Sequence, residues 1–104
     1  VYLEDLCFDA QQAAEKAIKA VLIAHQVAFP FTHDLGQLLT LVERTGREVP
    51  DAVEEAARIT RYAVATRYPG VLDEVTVEDY QATLAIATTV VGWAQDEICT
   101  PDAN

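Results

Sequence analysis

The feature that most constrains this chain is the spacing of its apolar residues near the start. Leu3, Leu6 and Cys7, Ala10, Ala14, Ala17 and Ile18, Val21 and Ala24 recur every third or fourth position. That is the period of one face of an α-helix, and it predicts a first helix from Leu3 to about Val27. The segment around Phe29, Pro30 and Phe31 is expected to end it, because proline disfavours helix in the preceding residue and has no N–H to donate. Nowhere does a strand-like alternation of apolar and polar residues persist beyond a few positions, so a sheet is excluded as the organising element.

Three further helices follow from capping and breaking signals. Asp34 and Gln37 have the spacing of a reciprocal cap, and Leu35, Leu38, Leu39, Leu41 and Val42 supply a short apolar face that stops at Gly46. Asp51 and Glu54 repeat the cap pattern after Pro50, and Val53, Ala56, Ile59 and Ala63 carry a third helix toward Arg67. Thr76 with Asp79 opens the last helix, with one stripe through Tyr80, Leu84, Ala87, Val91, Ala94 and Ile98 and another through Ile86, Val90 and Trp93. The expected fold is all-α, an up-and-down bundle of four helices, or five, over residues 1–99, with a frayed tail at 100–104. Val1 already adjoins the periodic segment without a cap, so a first helix in progress at residue 1 is expected. Gly92, costly inside a helix, points to a close helix contact or a knob from a partner, the alternative being neutral drift at an exposed position.

Charge narrows the ligands. Seventeen acidic and seven basic side chains give a net charge of −10, which repels a long phosphate backbone unless the cations are gathered. Cys7 and Cys99 lack metal-ligand spacing and are expected as buried thiols rather than as a disulfide. No catalytic motif and no metal or cofactor set stands in the sequence. No run reaches the roughly twenty apolar residues that cross a bilayer, and a cytoplasmic location without membrane contact is expected.

Residues 7–20, CFDAQQAAEKAIKA, resemble the first-helix signature of HEPN domains, the helical domains often encoded beside minimal nucleotidyltransferases. Residues 29–35, FPFTHDL, are similar to the loop that starts their second helix. Tyr62 with residues 67–70, RYPG, resembles the end of their third, and residues 77–93 resemble their long last helix. The resemblance implies a bundle that pairs as a homodimer, seamed largely by its first and last helices, and that binds a nucleotide, an RNA or a nucleotidyltransferase partner, as in a toxin–antitoxin pair. HEPN ribonucleases use an arginine followed four to six residues later by a histidine. Neither His25 nor His33 has such an arginine, which places the chain among binding modules, with no catalytic residue assigned; the alternative is a ribonuclease toxin pairing Arg61 or Arg67 with His33 across the bundle.

The candidate nucleotide- or phosphate-binding residues are therefore Gln12, Lys16, Lys19, His33, Arg61 and Arg67. Gln12, Glu15, Lys16 and Lys19 form a polar strip beside the apolar face of the first helix, able to read a base edge or phosphate, or simply to pair Glu15 with Lys19 and bond glutamines across a seam. His33 stands at a helix start, where an anion is favoured, or where it is an ordinary loop residue beside a cap. Arg61 and Arg67, with Arg58, Tyr62 and Tyr68 nearby, are the densest cationic and aromatic cluster, suited to phosphate and base. Glu54 and Glu55 can neutralise Arg58 at helical spacing.

Overall fold

The computed structural model describes residues 3–65 and 75–99. Arg67 and the third-helix end around Tyr68, any helix before Leu3, and the tail at 100–104 lie outside the described residues. The chain forms α1 (Leu3–Ala24), α2 (Leu35–Arg44), α3 (Asp51–Glu54), a 3-10 segment (Glu55–Ile59), α4 (Arg61–Ala65) and α5 (Val77–Cys99). Among the described residues there is no strand, and the expected all-helical bundle is borne out.

α1 turns Cys7, Ala10, Ala14, Ile18, Val21 and Leu22 into the core. It stops before the proline, at a reversal the sequence reading did not foresee. Gln26 adopts φ 61°, its N–H bonds to the Ile23 carbonyl at 3.0 Å, and the Val27 N–H reaches back to the Leu22 carbonyl at 2.8 Å. This pair of bonds is the Schellman closure, which satisfies orphan carbonyls through one left-handed residue. Residues 27–34 then run without helix back along α1, returning His33 to the level of Gln11 and Glu15.

At the start of α2, Asp34 Oδ1 accepts the Gln37 N–H at 3.2 Å. The reciprocal half of the expected cap is supplied differently, since Thr32 Oγ1 takes the Asp34 N–H at 3.1 Å. A second N–H of this helix start, that of Leu35, is met by Thr60 Oγ1 at 3.0 Å. That bond draws the third helical run against α2, where a Cβ on Gly36 would lie 3.3 Å from the Ala57 Cβ. Gly46, at φ 90°, closes the turn after α2.

The expected single third helix is instead α3, a 3-10 segment and α4 in succession. Its buried residues run Val53, Ala56, Ile59 and Tyr62, a spacing of three, with Ala63 buried beside the last of them. An α-helix, with about 3.6 residues per turn, would rotate that series off the core, whereas a 3-10 helix, with about three, keeps it on one line. The expected cap by Asp51 is also absent, because Pro50 occupies the cap position and no side-chain bond forms there.

The Thr76–Asp79 cap of α5 is reciprocal as expected, with Thr76 N–H to Asp79 Oδ2 at 3.0 Å and Asp79 N–H to Thr76 Oγ1 at 3.1 Å. α5 buries Thr83, Ala87, Val90 and Ala94 and leaves Leu84 and Ile98 exposed. α1 and α5 run in the same sense. Cys7 meets Thr83 near their starts, and near their ends Arg47 spans from Glu97 at 3.1 Å to His25 Nδ1 at 3.0 Å. Because a guanidinium only donates, His25 Nδ1 accepts in this contact. Cys7 is buried as expected but Cys99, past the buried stripe, is exposed, and both are free thiols. No described helix is long and apolar enough to cross a membrane.

The Gln26 closure yields a direct test. A non-glycine residue in the left-handed region carries a steric cost that glycine lacks. Gln26→Gly should raise stability by about 0.5–1 kcal/mol in urea denaturation, whereas Gln26→Val should lower it.

Candidate functional site

Gln11 and Glu15 are one turn apart on α1, in register with Cys7, Ala14 and Ile18, so the helix carries both into the core. The Glu15 side chain is only 5% exposed. An unpaired carboxylate there would be strongly disfavoured. Three side chains surround it instead: Lys19 Nζ donates to Oε2 at 3.0 Å, His33 Nδ1 lies 2.8 Å from Oε1, and Gln11 Nε2 donates to Oε1 at 3.1 Å. Burial pushes the Glu15 carboxyl up, but the hydrogen bonds with His33, Lys19 and Gln11 together outweigh it and hold the group below its ordinary value.

The remaining valences of the cluster are also used. Gln11 Oε1 accepts from Gln12 Nε2 at 2.7 Å, and Gln11 Nε2 makes a longer 3.4 Å contact with the His33 carbonyl. Above the carboxylate, Lys19 Nζ lies 5.7 Å from the Phe29 ring centre and 5.9 Å from that of Phe31. Phe31 is 92% exposed and meets the His33 ring edge-on at 5.8 Å. The outer face thus presents an aromatic ring flanked by the Lys19 ammonium and the His33 imidazole, both positioned from below. Such a face can stack a base and hold an anion beside it.

Of the candidate residues, Gln12, Lys19 and His33 are brought together here. Lys16 is exposed on a neighbouring row of α1 and is not part of the cluster. Arg61 belongs to a different place: its guanidinium sits 4.9 Å over the Tyr62 ring and donates to the Tyr62 hydroxyl at 2.9 Å, in a cleft against α5 that also includes Arg58, Asp79 and Thr83. Arg58 makes the exposed pair with Glu55 at 3.0 Å. Arg67 lies outside the described residues.

Gln11 and Phe31 belong to this cluster but carry no site expectation from the sequence, in which Glu15 stands as part of a polar strip. For Gln11 the signal was available, since a glutamine at the core register of an otherwise apolar stripe is a buried amide in need of partners. Phe31 was read only as a helix terminator, and its exposure beside Lys19 depends on the return path of residues 27–34, which no local pattern encodes. Among the described residues no cluster of three or more metal-ligating side chains occurs.

The cluster sets a pH dependence of determinate sign. A carboxyl held below its ordinary value of 4.5 contributes stability that is complete above that value and is lost as pH falls through the lower, folded value. Wild type should therefore weaken on acidification below that range, and Glu15→Gln should be less stable near neutrality by about 2–3 kcal/mol while losing less on acidification. Urea midpoints measured from pH 7 to pH 3 would reveal both; parallel pH curves for the two proteins would contradict the assignment.

A family model described as HEPN domain matches residues 2–98. No curated protein and no solved structure matches the chain.

Proposed function

The chain belongs to the HEPN domain family, and from that premise we propose that it is a homodimeric binding module, the partner of a minimal nucleotidyltransferase in a toxin–antitoxin-like pair, and that it holds a nucleotide on the Phe31–His33–Lys19 face. The observation that carries the nucleotide site is the buried Glu15 carboxylate, which orients Lys19 and His33 toward the surface beside the exposed Phe31 ring. The base lies on Phe31 and the phosphate meets Lys19 and His33.

Support for pairing comes from the outer side of α1 and α5. Ala10, Ala13, Leu84, Val91, Gly92 and Gln95 border a shallow, mainly apolar groove of about 360 Å³. A Cβ on Gly92 would meet nothing within 4 Å, so this glycine does not serve a contact inside the chain, which leaves a knob from a partner or an exposed position under no packing constraint. Residues 80–95 carry no charged side chain. For a protein of charge −10, a second copy must approach over a surface of this kind to avoid like-charge repulsion.

Two measurements test the proposal. In calorimetric titration with AMP, Phe31→Ala and Lys19→Ala should each weaken binding by about tenfold or more, the size of one stacked base or one charge-assisted bond. Co-expression with a minimal nucleotidyltransferase encoded beside it should give a complex that sediments with two copies of this chain; a monomer that ignores AMP, or a locus with no such enzyme, defeats the proposal.

One observation favours the ribonuclease alternative. Glu15 fixes His33 through Nδ1, as a carboxylate orients a histidine for acid–base chemistry, with Lys19 as the neighbouring cation in place of Arg61. On that reading the protein is toxic when expressed and His33→Ala is not; intact cellular RNA in expressing cells would end it.

A further inference from the structure

The cleft between the third helical run and α5 shares no residue with the Phe31 face. It has a volume of about 320 Å³ and is lined by Arg58, Ile59, Arg61, Tyr62, Asp79, Ala82, Thr83 and Ile86. Against a chain of charge −10, its wall carries two guanidinium groups and one carboxylate. That carboxylate is turned into its own helix cap, where Asp79 Oδ2 accepts the Thr76 N–H. Bonding to the Thr76 backbone and side chain keeps Asp79 below the ordinary aspartate value. Asp79 is thus ionised with its oxygens drawn toward its own cap, and two guanidinium groups line the cleft beside it, one of them also paired with Glu55.

A second observation points into it. Tyr62 is only 2% exposed, and its hydroxyl oxygen accepts the Arg61 guanidinium N–H at 2.9 Å. An arginine cannot accept in return. The hydroxyl's own proton therefore needs another acceptor, and none of the described residues supplies one. A nearly buried O–H donor without an acceptor, beside two guanidinium groups, is a site prepared for an oxyanion. Arg61 is held over the Tyr62 ring, so its remaining donors are already positioned, and Arg58 commits one N–H to Glu55 while the rest of its fork stays available.

We infer that this cleft binds a phosphate group, as a phosphate monoester whose organic part rests on Ile59, Ala82 and Ile86. Donors on three side chains, Arg58, Arg61 and Tyr62, line it, enough to meet several oxygens of a phosphate at once. The apolar floor distinguishes a monoester from free phosphate, for which it has no use. A polyphosphate is disfavoured because its additional charge would meet Asp79.

The inference is independent of the nucleotide face and is tested separately from it. Inorganic phosphate and phenyl phosphate are titrated into the whole protein while the backbone amide resonances of Ile59, Arg61, Tyr62 and Thr83 are followed. Saturable shifts are expected with both, with phenyl phosphate binding more tightly. Tyr62→Phe, which keeps the ring and removes only the hydroxyl, should weaken binding by about tenfold, and so should Arg58→Gln, an exposed change that leaves the fold intact. His33→Ala should leave these affinities as they are. Equal affinity for the two probes upholds the phosphate site and makes free phosphate its ligand. Shifts that do not saturate, or that are the same in Tyr62→Phe and wild type, overturn the inference.

Discussion

The buried Glu15 carboxylate is the constraint on which the rest of the arrangement depends. A charge at a core position of α1 is tolerable only if donors surround it, and two of its three partners, Gln11 and Lys19, come from the same helix one turn to either side. The third, His33, comes from the far end of the extended return segment. Satisfying Glu15 thus fixes where the chain must be eighteen residues later, immediately before the Asp34 cap that starts α2. The same requirement that anchors the fold places Lys19, His33 and Phe31 together. Folding and site geometry are here one condition, so the site is rigid at its base and exposed at its rim.

From the start of α2 the constraint passes to the third helical run. The Leu35 N–H needs an acceptor and finds it in Thr60, while Gly36 permits contact with Ala57 at a distance a larger residue would crowd. Both contacts rest on the 3-10 winding of residues 55–59, which aligns Val53, Ala56, Ile59 and Tyr62 on a single line facing the core. That line ends at Tyr62, whose ring supports Arg61 at the cleft against α5. The two candidate binding places are therefore linked through one chain of packing, from Glu15 through the α2 start to Tyr62.

How much of this was legible in the sequence depended on whether the signal was local. The period of α1, the reciprocal Thr76–Asp79 cap and the turn at Gly46 are written within a few residues, and each appears as expected. The break in the third run was also written locally, as a spacing of three, but that spacing resembles a helical face unless its strictness is noticed. Gln26 gives no sign of its left-handed conformation, because glutamine has no preference for it; the geometry follows from closing α1 and from the direction the chain must next take. Among the site residues, Lys19 and Gln12 were found from helix spacing and His33 from its place at a helix start. That Lys19 and His33 converge on Glu15, with Gln12 held through Gln11, is a tertiary fact, set by the return segment. Lys16, chosen by the same spacing, falls on the next row and faces outward, showing that a helical strip is resolved into inside and outside only by what packs on it.

Charge decides which phosphate compounds can use these places. At physiological ionic strength, charges more than about 8 Å apart in water are largely screened from one another. A small phosphate at Lys19 and His33, or at Arg58 and Arg61, therefore senses mainly its own cations and little of the remaining acidic surface. An extended polyanion must cross that surface between the cationic places, and every phosphate not met by a cation adds repulsion without releasing counterions. The cations here are too few and too closely committed to track a backbone: Lys19 bonds Glu15, Arg47 bonds Glu97 and Arg58 bonds Glu55. On the proposed reading, an acidic bundle with compact cationic places suits a small phosphate compound better than an extended polyanion. The same screening argument sets the proposed mononucleotide ahead of a long RNA.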